Sequence, residues 1–294
     1  MATQLTTNAR SGVAATVTSS SSFRVYFQDV QNGIREAIYD GGWTTSNTVL
    51  FKARRSTPLS VISWDEGKQI RIYCVSANGL LEEWCHNNGG SWAPGYLTNL
   101  KVRVAPNTSI AAVNWDGSSI RVYCQEESSN AIQEFCVGNP WKRGATLPVA
   151  DQGSNLAAVS WKDQGKVHLR VYYQAPDLSL KEHCYDAGWY EGGFNPGVAL
   201  KNSGIAATGW FNSGVQLRLY WQDSQGQMTG YKWSGSWSPT GSINPVPVGT
   251  HMSAINWNSG GNIRVYYQSF NGSISEECND GDSWYNGQGA APTL

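Results

Sequence analysis

The sequence predicts an all-β chain, a six-bladed β-propeller of four-stranded antiparallel blades, and three observations predict it. An Arg-x-Tyr motif recurs at Arg24, Arg71, Arg121, Arg170, Arg218 and Arg264, at intervals of 47, 50, 49, 48 and 46 residues. The 32 Gly and 14 Trp, beside only 15% charged residues, point to many tight turns and many aromatic contacts. Each interval reads as four short extended segments joined by turn residues, and about 48 residues with four strands is the period of a propeller blade. Six such copies fill the 294 residues as one domain, with approximate boundaries 1–55, 56–105, 106–152, 153–201, 202–248 and 249–294. A solenoid would need capping repeats, and neither terminus reads as one.

Each copy opens with an apolar run rich in small residues, such as Val13-Ala-Ala-Thr16, Ile110-Ala-Ala-Val113 and Leu156-Ala-Ala-Val159. Small side chains at an equivalent place six times suggest strands converging on an axis. A Trp closes the run in five copies (Trp64, Trp115, Trp161, Trp210, Trp257), and Val17 stands there in the first. The Arg-x-Tyr segment comes next, apolar on both faces apart from Arg and Gln, as expected of a strand covered on both sides. Turn residues such as Gln31-Asn-Gly33, Ala77-Asn-Gly79 and Asn271-Gly272 then lead to a third strand. After another turn comes a Trp element at Trp43, Trp92, Trp141, Trp189, Trp237 and Trp284. Only ten residues follow Trp284, so the segment before Val13 is expected to supply an outer strand to the last blade.

Charge and composition exclude several functions. A net charge of −1 without a basic run leaves no footprint for nucleic acid. No segment approaches the roughly 18 apolar residues of a membrane span, so no membrane insertion is expected. The start shows no signal peptide, which suggests a cytoplasmic protein or one released by another route, with Asn107 and Asn271 unglycosylated despite their sequons. Cys74 and Cys124 lie three residues after the Arg, on the opposite strand face. Cys85, Cys136, Cys184 and Cys278 lie two after a repeated Glu, on that Glu's face. All six read as buried free thiols, which points weakly to a reducing compartment. His86, His168, His183 and His251 lack metal-ligand spacing and Asp-rich calcium loops are absent, so no metal site and no cofactor is expected.

The third strand carries a Glu twelve residues after the Arg, thirteen in the third copy, and this spacing sets the two side by side across a hairpin. The pairs are Arg24 and Glu36, Arg71 and Glu83, Arg121 and Glu134, Arg170 and Glu182, and Arg264 and Glu276. An ion pair could serve the framework alone by fixing register. The repeated Trp argues for more: a guanidinium fork, a carboxylate that only accepts and an indole together match the hydroxyls and C–H face of a sugar. In the fifth copy the residue twelve after Arg218 is Gly230, so that site lacks its acceptor and is expected to be weak or empty.

These residues resemble a known family, the fucose-binding lectins of the Aleuria aurantia lectin type. The resemblance rests on Arg24-Val-Tyr-Phe-Gln-Asp29 with Ile34-Arg-Glu-Ala37, on Arg71-Ile-Tyr-Cys-Val75, on Ile110-Ala-Ala-Val113 and on Gly188-Trp-Tyr-Glu-Gly-Gly-Phe194. It covers all six repeats. It implies L-fucose pockets in which one blade provides Arg and Glu and the next provides Trp. The groupings are then Arg24, Glu36 and Trp92; Arg71, Glu83 and Trp141; Arg121, Glu134 and Trp189; Arg170, Glu182 and Trp237; and Arg264, Glu276 and Trp43. The degenerate fifth would be Arg218, Gly230 and Trp284. The resemblance also implies an aromatic lining the methyl pocket, where Tyr185, Trp233 and Tyr39 stand for the third, fourth and sixth, whereas His86, Val137 and Asn279 depart from it. The implied partners are L-fucose and fucosylated oligosaccharides or glycoproteins, and a homodimer is allowed.

Two other classes compete. A glycosidase needs two carboxylates flanking one bond, one with a raised pKa, whereas each Glu here has an Arg beside it that favours the ionised form, so no catalytic residue is assigned. A scaffold propeller binding protein partners is the alternative. Trp64-Asp65 and Trp115-Asp116 are Trp-Asp dipeptides, but they come after the first strand of a copy and lack the Gly-His partner of that class.

Overall fold

The computed structural model describes residues 7, 10–281 and 283–289. It forms six antiparallel sheets, one per repeat, each with its strands in sequence order. In the fourth copy these are Leu156–Asp163, Lys166–Gln174, Leu180–Tyr185 and Trp189–Glu191. The Arg-x-Tyr segment is the second strand throughout: Ser22–Gln28, Gln69–Val75, Ser119–Gln125, Lys166–Gln174, Val215–Gln222 and Asn262–Gln268. The first sheet gains a fifth strand, Phe51–Lys52, paired with Gly33–Asp40. Between second and third strands the chain turns through left-handed conformations at Asn32, Gly79, Gly226 and Gly272, which is why Asn and Gly mark those turns. Among the described residues no helix is long and apolar enough to cross a membrane.

The chain divides into two compact units, Met1–Val104 with Thr250–Leu294, and Ala105–Gly249. The first holds copies one, two and six and the second holds copies three, four and five. Within each unit the opening strands of successive copies lie against one another, and the small residues there let them approach. Ala15 N–H donates to Ser253 Oγ at 2.9 Å, Thr16 and Ser63 share a 2.7 Å hydroxyl bond, and Ser160 Oγ donates to Asn114 O at 3.0 Å. The second strands are the most buried, as their two-faced apolar pattern requires. All six motif tyrosines, Tyr26, Tyr73, Tyr123, Tyr172, Tyr220 and Tyr266, are at most 1% exposed. Facing apolar residues of neighbouring copies complete the core, such as Val13, Val25 and Phe27 with Ile255 and Ile274.

The last sheet has Trp284–Asn286 as its fourth strand, paired with Ile274–Asn279, and the segment before Val13, expected to add an outer strand there, reaches this copy where Thr7 N–H donates to Gly272 O at 3.4 Å. Of the segment before Val13, Thr7 forms an isolated antiparallel bridge with Asp29 at the end of the first copy's second strand. Residues 1–6, 8 and 9 lie outside the described residues. The six cysteines are free thiols, buried at 74, 124, 184 and 278 and half-buried at 85 and 136.

Candidate functional site

The register of the central hairpin decides what meets the repeated Glu. Glu36, Glu83, Glu134, Glu182 and Glu276 stand directly opposite the motif Tyr, not the Arg: Tyr26, Tyr73, Tyr123, Tyr172 and Tyr266. The Arg is the diagonal neighbour on the same face, and its own partner is the residue two beyond the Glu, as in Arg170 and Cys184. This corrects the side-by-side expectation and explains the buried tyrosines. Each hydroxyl donates to a Glu Oε1, at 2.7 Å for Tyr26, 3.1 Å for Tyr73, 3.0 Å for Tyr123, 2.9 Å for Tyr172 and 2.8 Å for Tyr266. Charge-assisted bonds of this kind contribute about 1.5–3 kcal/mol.

The Arg lies farther from the Glu than an ideal ion pair. Arg121 Nε is 3.5 Å, Arg264 Nε 3.7 Å and Arg170 Nε 4.0 Å from the Glu Oε1. Burial therefore dominates the carboxyl: it pushes Glu83, Glu182 and Glu276 above the usual carboxylate range, although Tyr hydroxyls, backbone N–H groups and Arg pull the other way. The Arg favours the ionised form, as expected, but in these three burial outweighs it.

What holds the Arg is the Trp that closes the first strand. The guanidinium carbons of Arg71, Arg121, Arg170, Arg218 and Arg264 sit 4.7, 5.0, 4.7, 4.7 and 4.9 Å from the ring centres of Trp64, Trp115, Trp161, Trp210 and Trp257. Each also donates from Nη1 to the carbonyl of the preceding residue, at 2.8–3.0 Å. The first copy has Val17 there, and Arg24 instead points Nη1 at Glu36 Oε1, 2.9 Å away. With no indole to lie on, it falls onto the carboxylate. In the fourth and sixth copies an Asp adds a second clamp: Asp186 accepts from Arg170 at 3.0 and 3.1 Å, and Asp280 from Arg264 at 2.7 and 3.3 Å. Tyr190 and Tyr285 hydroxyls also donate to these carboxylates. Burial opposes ionisation there, but the donors win and hold both Asp residues down at about 2.

In four copies a glycine three residues after the Trp completes the Glu cradle, whereas Ser46 stands at that place after Trp43 and Thr240 after Trp237. A Cβ on Gly95, Gly144, Gly192 or Gly287 would overlap the Oε2 of Glu83, Glu134, Glu182 or Glu276. None of these four has a positive φ, so the requirement is space and not backbone freedom. Nearby backbone N–H groups reach the same oxygen, from Leu97 to Glu83 and from Ala145 to Glu134, both at 3.1 Å. The fifth copy inverts the pair. Gly230 replaces Glu, Thr240 replaces the glycine, and the Thr240 hydroxyl oxygen would lie 2.8 Å from a Cβ on Gly230.

Two open cavities collect these groups. One of about 210 Å³ is lined by Arg170, Glu182, Trp161, Gly192 and Tyr190 of the fourth copy and by Val215, Leu217, Trp233 and Trp237 of the fifth. The other, about 220 Å³, brings Arg264, Glu276, Trp257, Gly287 and Tyr285 of the sixth copy against Phe23, Tyr39 and Trp43 of the first. Both thus contain the full trio expected from the sequence, with the expected extra aromatic. In the first and third groupings the Trp of the next copy meets the motif Tyr edge-on: Trp92 lies 6.0 Å from Tyr26 and Trp189 6.2 Å from Tyr123, with Tyr185 5.5 Å from Trp189. Trp92 also packs 5.3 Å from His86. Arg71 and Glu83 belong to the first unit while Trp141 is buried in the second; Arg218 and Gly230 belong to the second while Trp284 begins a strand of the first. The platform Trp, the cradle Gly and the Asp clamp were absent from the sequence-based site. The glycine, three residues after Trp in four copies, and the Asp, four residues after Glu in the fourth and sixth, left signals that spacing alone could have found.

Among solved structures, the six-bladed propeller of the Aleuria aurantia fungal lectin matches with a TM-score of 0.88 and 30% identity, covering 99% of this chain and 98% of that one. The SapL1 lectin, solved with α-methyl fucoside, matches at 0.87 and 29% identity over 99% of both chains. The chain is therefore a six-bladed β-propeller of four-stranded blades with the architecture of carbohydrate-binding lectins. Residues 8–292 match the family model for fungal fucose-specific lectins, and the chain belongs to that family. It is 35% identical over 288 residues to the fucose-specific lectin of Aleuria aurantia, covering 90% of this chain and 88% of that protein. It is 34% identical over 284 residues to that of Aspergillus fumigatus, covering 88% of each.

Proposed function

We propose that the chain is a non-catalytic, multivalent lectin for L-fucose and fucosylated glycans. The observation that carries this reading is the recurrence, in two separate cavities, of one donor fork, one buried acceptor and an aromatic wall. In the fourth pocket Arg170 donates to ring and hydroxyl oxygens, Glu182 accepts from a hydroxyl, and Trp237 covers the sugar's C–H face. Trp233, Val215 and Leu217 offer an apolar pocket to the methyl group. Arg264, Glu276, Trp43 and Tyr39 take the same roles in the sixth. Arg24, Glu36 and Trp92 form the first and Arg121, Glu134, Trp189 and Tyr185 the third, and Arg71 and Glu83 supply the corresponding donor and acceptor in the second copy. A single pocket binds weakly, but several on one molecule reinforce each other on a glycan-bearing surface because the second contact is intramolecular.

Calorimetric titration with methyl α-L-fucoside, with L-galactose as the comparison sugar, tests this reading. L-Galactose keeps the hydroxyl pattern and replaces the methyl by a hydroxymethyl group. Saturable heat at more than one site per chain with a preference for fucoside is expected, and five sites would leave out the Gly230 copy. No heat from either sugar would sink the lectin reading and turn attention to a scaffold role.

A further inference from the structure

The fifth copy keeps the Arg and its indole platform but reverses the charge around them. Arg218 lies 4.7 Å over Trp210 and donates to Leu217 O at 2.8 Å, as its equivalents do. The carboxylate is gone, replaced by Gly230. The residue directly opposite Arg218 is Lys232, where four other copies have Cys and the first has Ile38. Direct cross-strand neighbours share a face, so the two cations stand together. The position of the Asp clamp is Ser234, whose hydroxyl is turned to Gln216. Among the described residues neither Arg218 nor Lys232 forms an ion pair. The Thr240 hydroxyl oxygen, beside the space the Glu would fill, is buried and has no hydrogen-bond partner.

The other arginines show what is missing. Burial acts against the charge of Arg24, Arg170 and Arg264, but Glu36, Asp186 and Asp280 outweigh it and raise all three. Arg218 is lowered, because burial meets no carboxylate. A half-buried guanidinium without a counter-charge carries an uncompensated desolvation that an anionic ligand would relieve.

We propose that the fifth copy binds an acidic saccharide, one bearing a carboxylate or a sulfate, in place of fucose. The acid group pairs bidentately with Arg218 and receives a further bond from Lys232, and the Thr240 hydroxyl donates to a neighbouring oxygen. The sugar part of the proposal rests on the reading of the other copies as sugar pockets.

The probes are glucuronic acid and galactose 6-sulfate, with glucose and galactose as neutral controls and inorganic sulfate as the bare anion. Each is titrated by calorimetry into protein already saturated with methyl α-L-fucoside. One saturable site per chain is expected for the acidic sugars, weakening as salt is raised, and none for the neutral ones. Arg218→Ala should abolish it and Lys232→Cys should weaken it about tenfold, the order expected for one charge-assisted bond. Circular dichroism melting identifies a variant that fails to fold. A second variant, Gly230→Glu with Thr240→Gly, copies the arrangement of the second, third, fourth and sixth copies, and it should lose the acidic-sugar site and gain one fucoside site. The proposal is overturned if neither acidic sugar saturates, if Arg218→Ala leaves the site intact, if neutral sugars bind as well, or if inorganic sulfate binds as tightly as the sugars. Absence of fucoside heat in the first step would instead overturn the lectin reading, and the acidic-sugar titration would still report on Arg218 independently.

Discussion

Replacing Gly192 by alanine adds one methyl group where the fourth pocket has no room for it. The new Cβ would lie 2.6 Å from Cys184 Sγ and 2.7 Å from Glu182 Cγ, and nearer still to Glu182 Oε2. Ordinary contact begins at 3.4 Å, so the thiol must retreat by about 0.8 Å and the carboxylate oxygen by more. Hydrogen bonds between oxygens span only about 2.5–3.0 Å, so a displacement of that size removes the acceptor from any bound sugar. The expected loss is one charge-assisted bond, about 1.5–3 kcal/mol, or roughly 10- to 150-fold in the affinity of that pocket. Overpacking should also cost about 1–3 kcal/mol of stability. Fucoside calorimetry should therefore count one strong site fewer, with a lower melting temperature. The double variant Gly192→Ala, Glu182→Gly relieves the clash with the carboxylate but leaves the one with Cys184 and strips the buried Tyr172 hydroxyl of its acceptor, so the site should stay lost without a return of stability. An unchanged site count in Gly192→Ala would refute the claim that the glycine makes space for the carboxylate.

Two further outcomes are expected from the same geometry. Burial raises Glu83, Glu182 and Glu276, and a sugar hydroxyl needs the ionised form as acceptor, so binding is complete above the raised values and fades as pH falls through them. The loss should begin above the ordinary Glu value of about 4.3, and fucoside titrations between about pH 7 and pH 4 will detect it. For stability the sign is opposite: a carboxyl raised on folding costs stability above its folded value and sheds that cost as pH falls from its folded to its unfolded value, so these three groups should raise the melting temperature over the range in which binding fades. Trp115→Val recreates the first copy within the third, and Arg121 should then turn onto Glu134 as Arg24 turns onto Glu36. Losing the indole should weaken that pocket by roughly 2- to 30-fold, from about 0.5–2 kcal/mol of cation–π attraction, and an unaltered titration would contradict the platform role.

The repeat, the sheet count and the trio of Arg, Glu and Trp were legible because each recurs at nearly constant spacing. A gap of twelve between Arg24 and Glu36 did not reveal that Glu36 faces Tyr26, since the turn between strands sets the register and a shift of two residues keeps the face but exchanges a direct neighbour for a diagonal one. The platform is hidden in the sequence for a related reason. Trp precedes Arg by six residues at Trp115 but by nine at Trp161, because the hairpin turn between them varies in length while the three-dimensional contact does not. The raised Glu residues were illegible because depth of burial is a property of the packed sheets, and spacing records only adjacency. Val17 and Gly230 were visible as exceptions, but their consequence, a collapsed Arg24 and an uncompensated Arg218, needed side-chain positions.

The buried Gln that ends the second strand ties its copy to the start of the next one: Gln125 reaches Asp151 O and Gly153 N, and Gln174 reaches Leu200 O and Asn202 N. In the sixth copy Gln268 instead receives the N–H of Arg10 at 2.8 Å and donates to Thr7. A segment synthesised early therefore has to wait for one synthesised late before its backbone is satisfied. Contacts so distant in sequence form slowly. A truncated or stalled product would leave the Arg10 N–H and the Thr7 hydroxyl without these partners, and an unfinished chain of that kind is open to proteolysis and to pairing with the wrong chain.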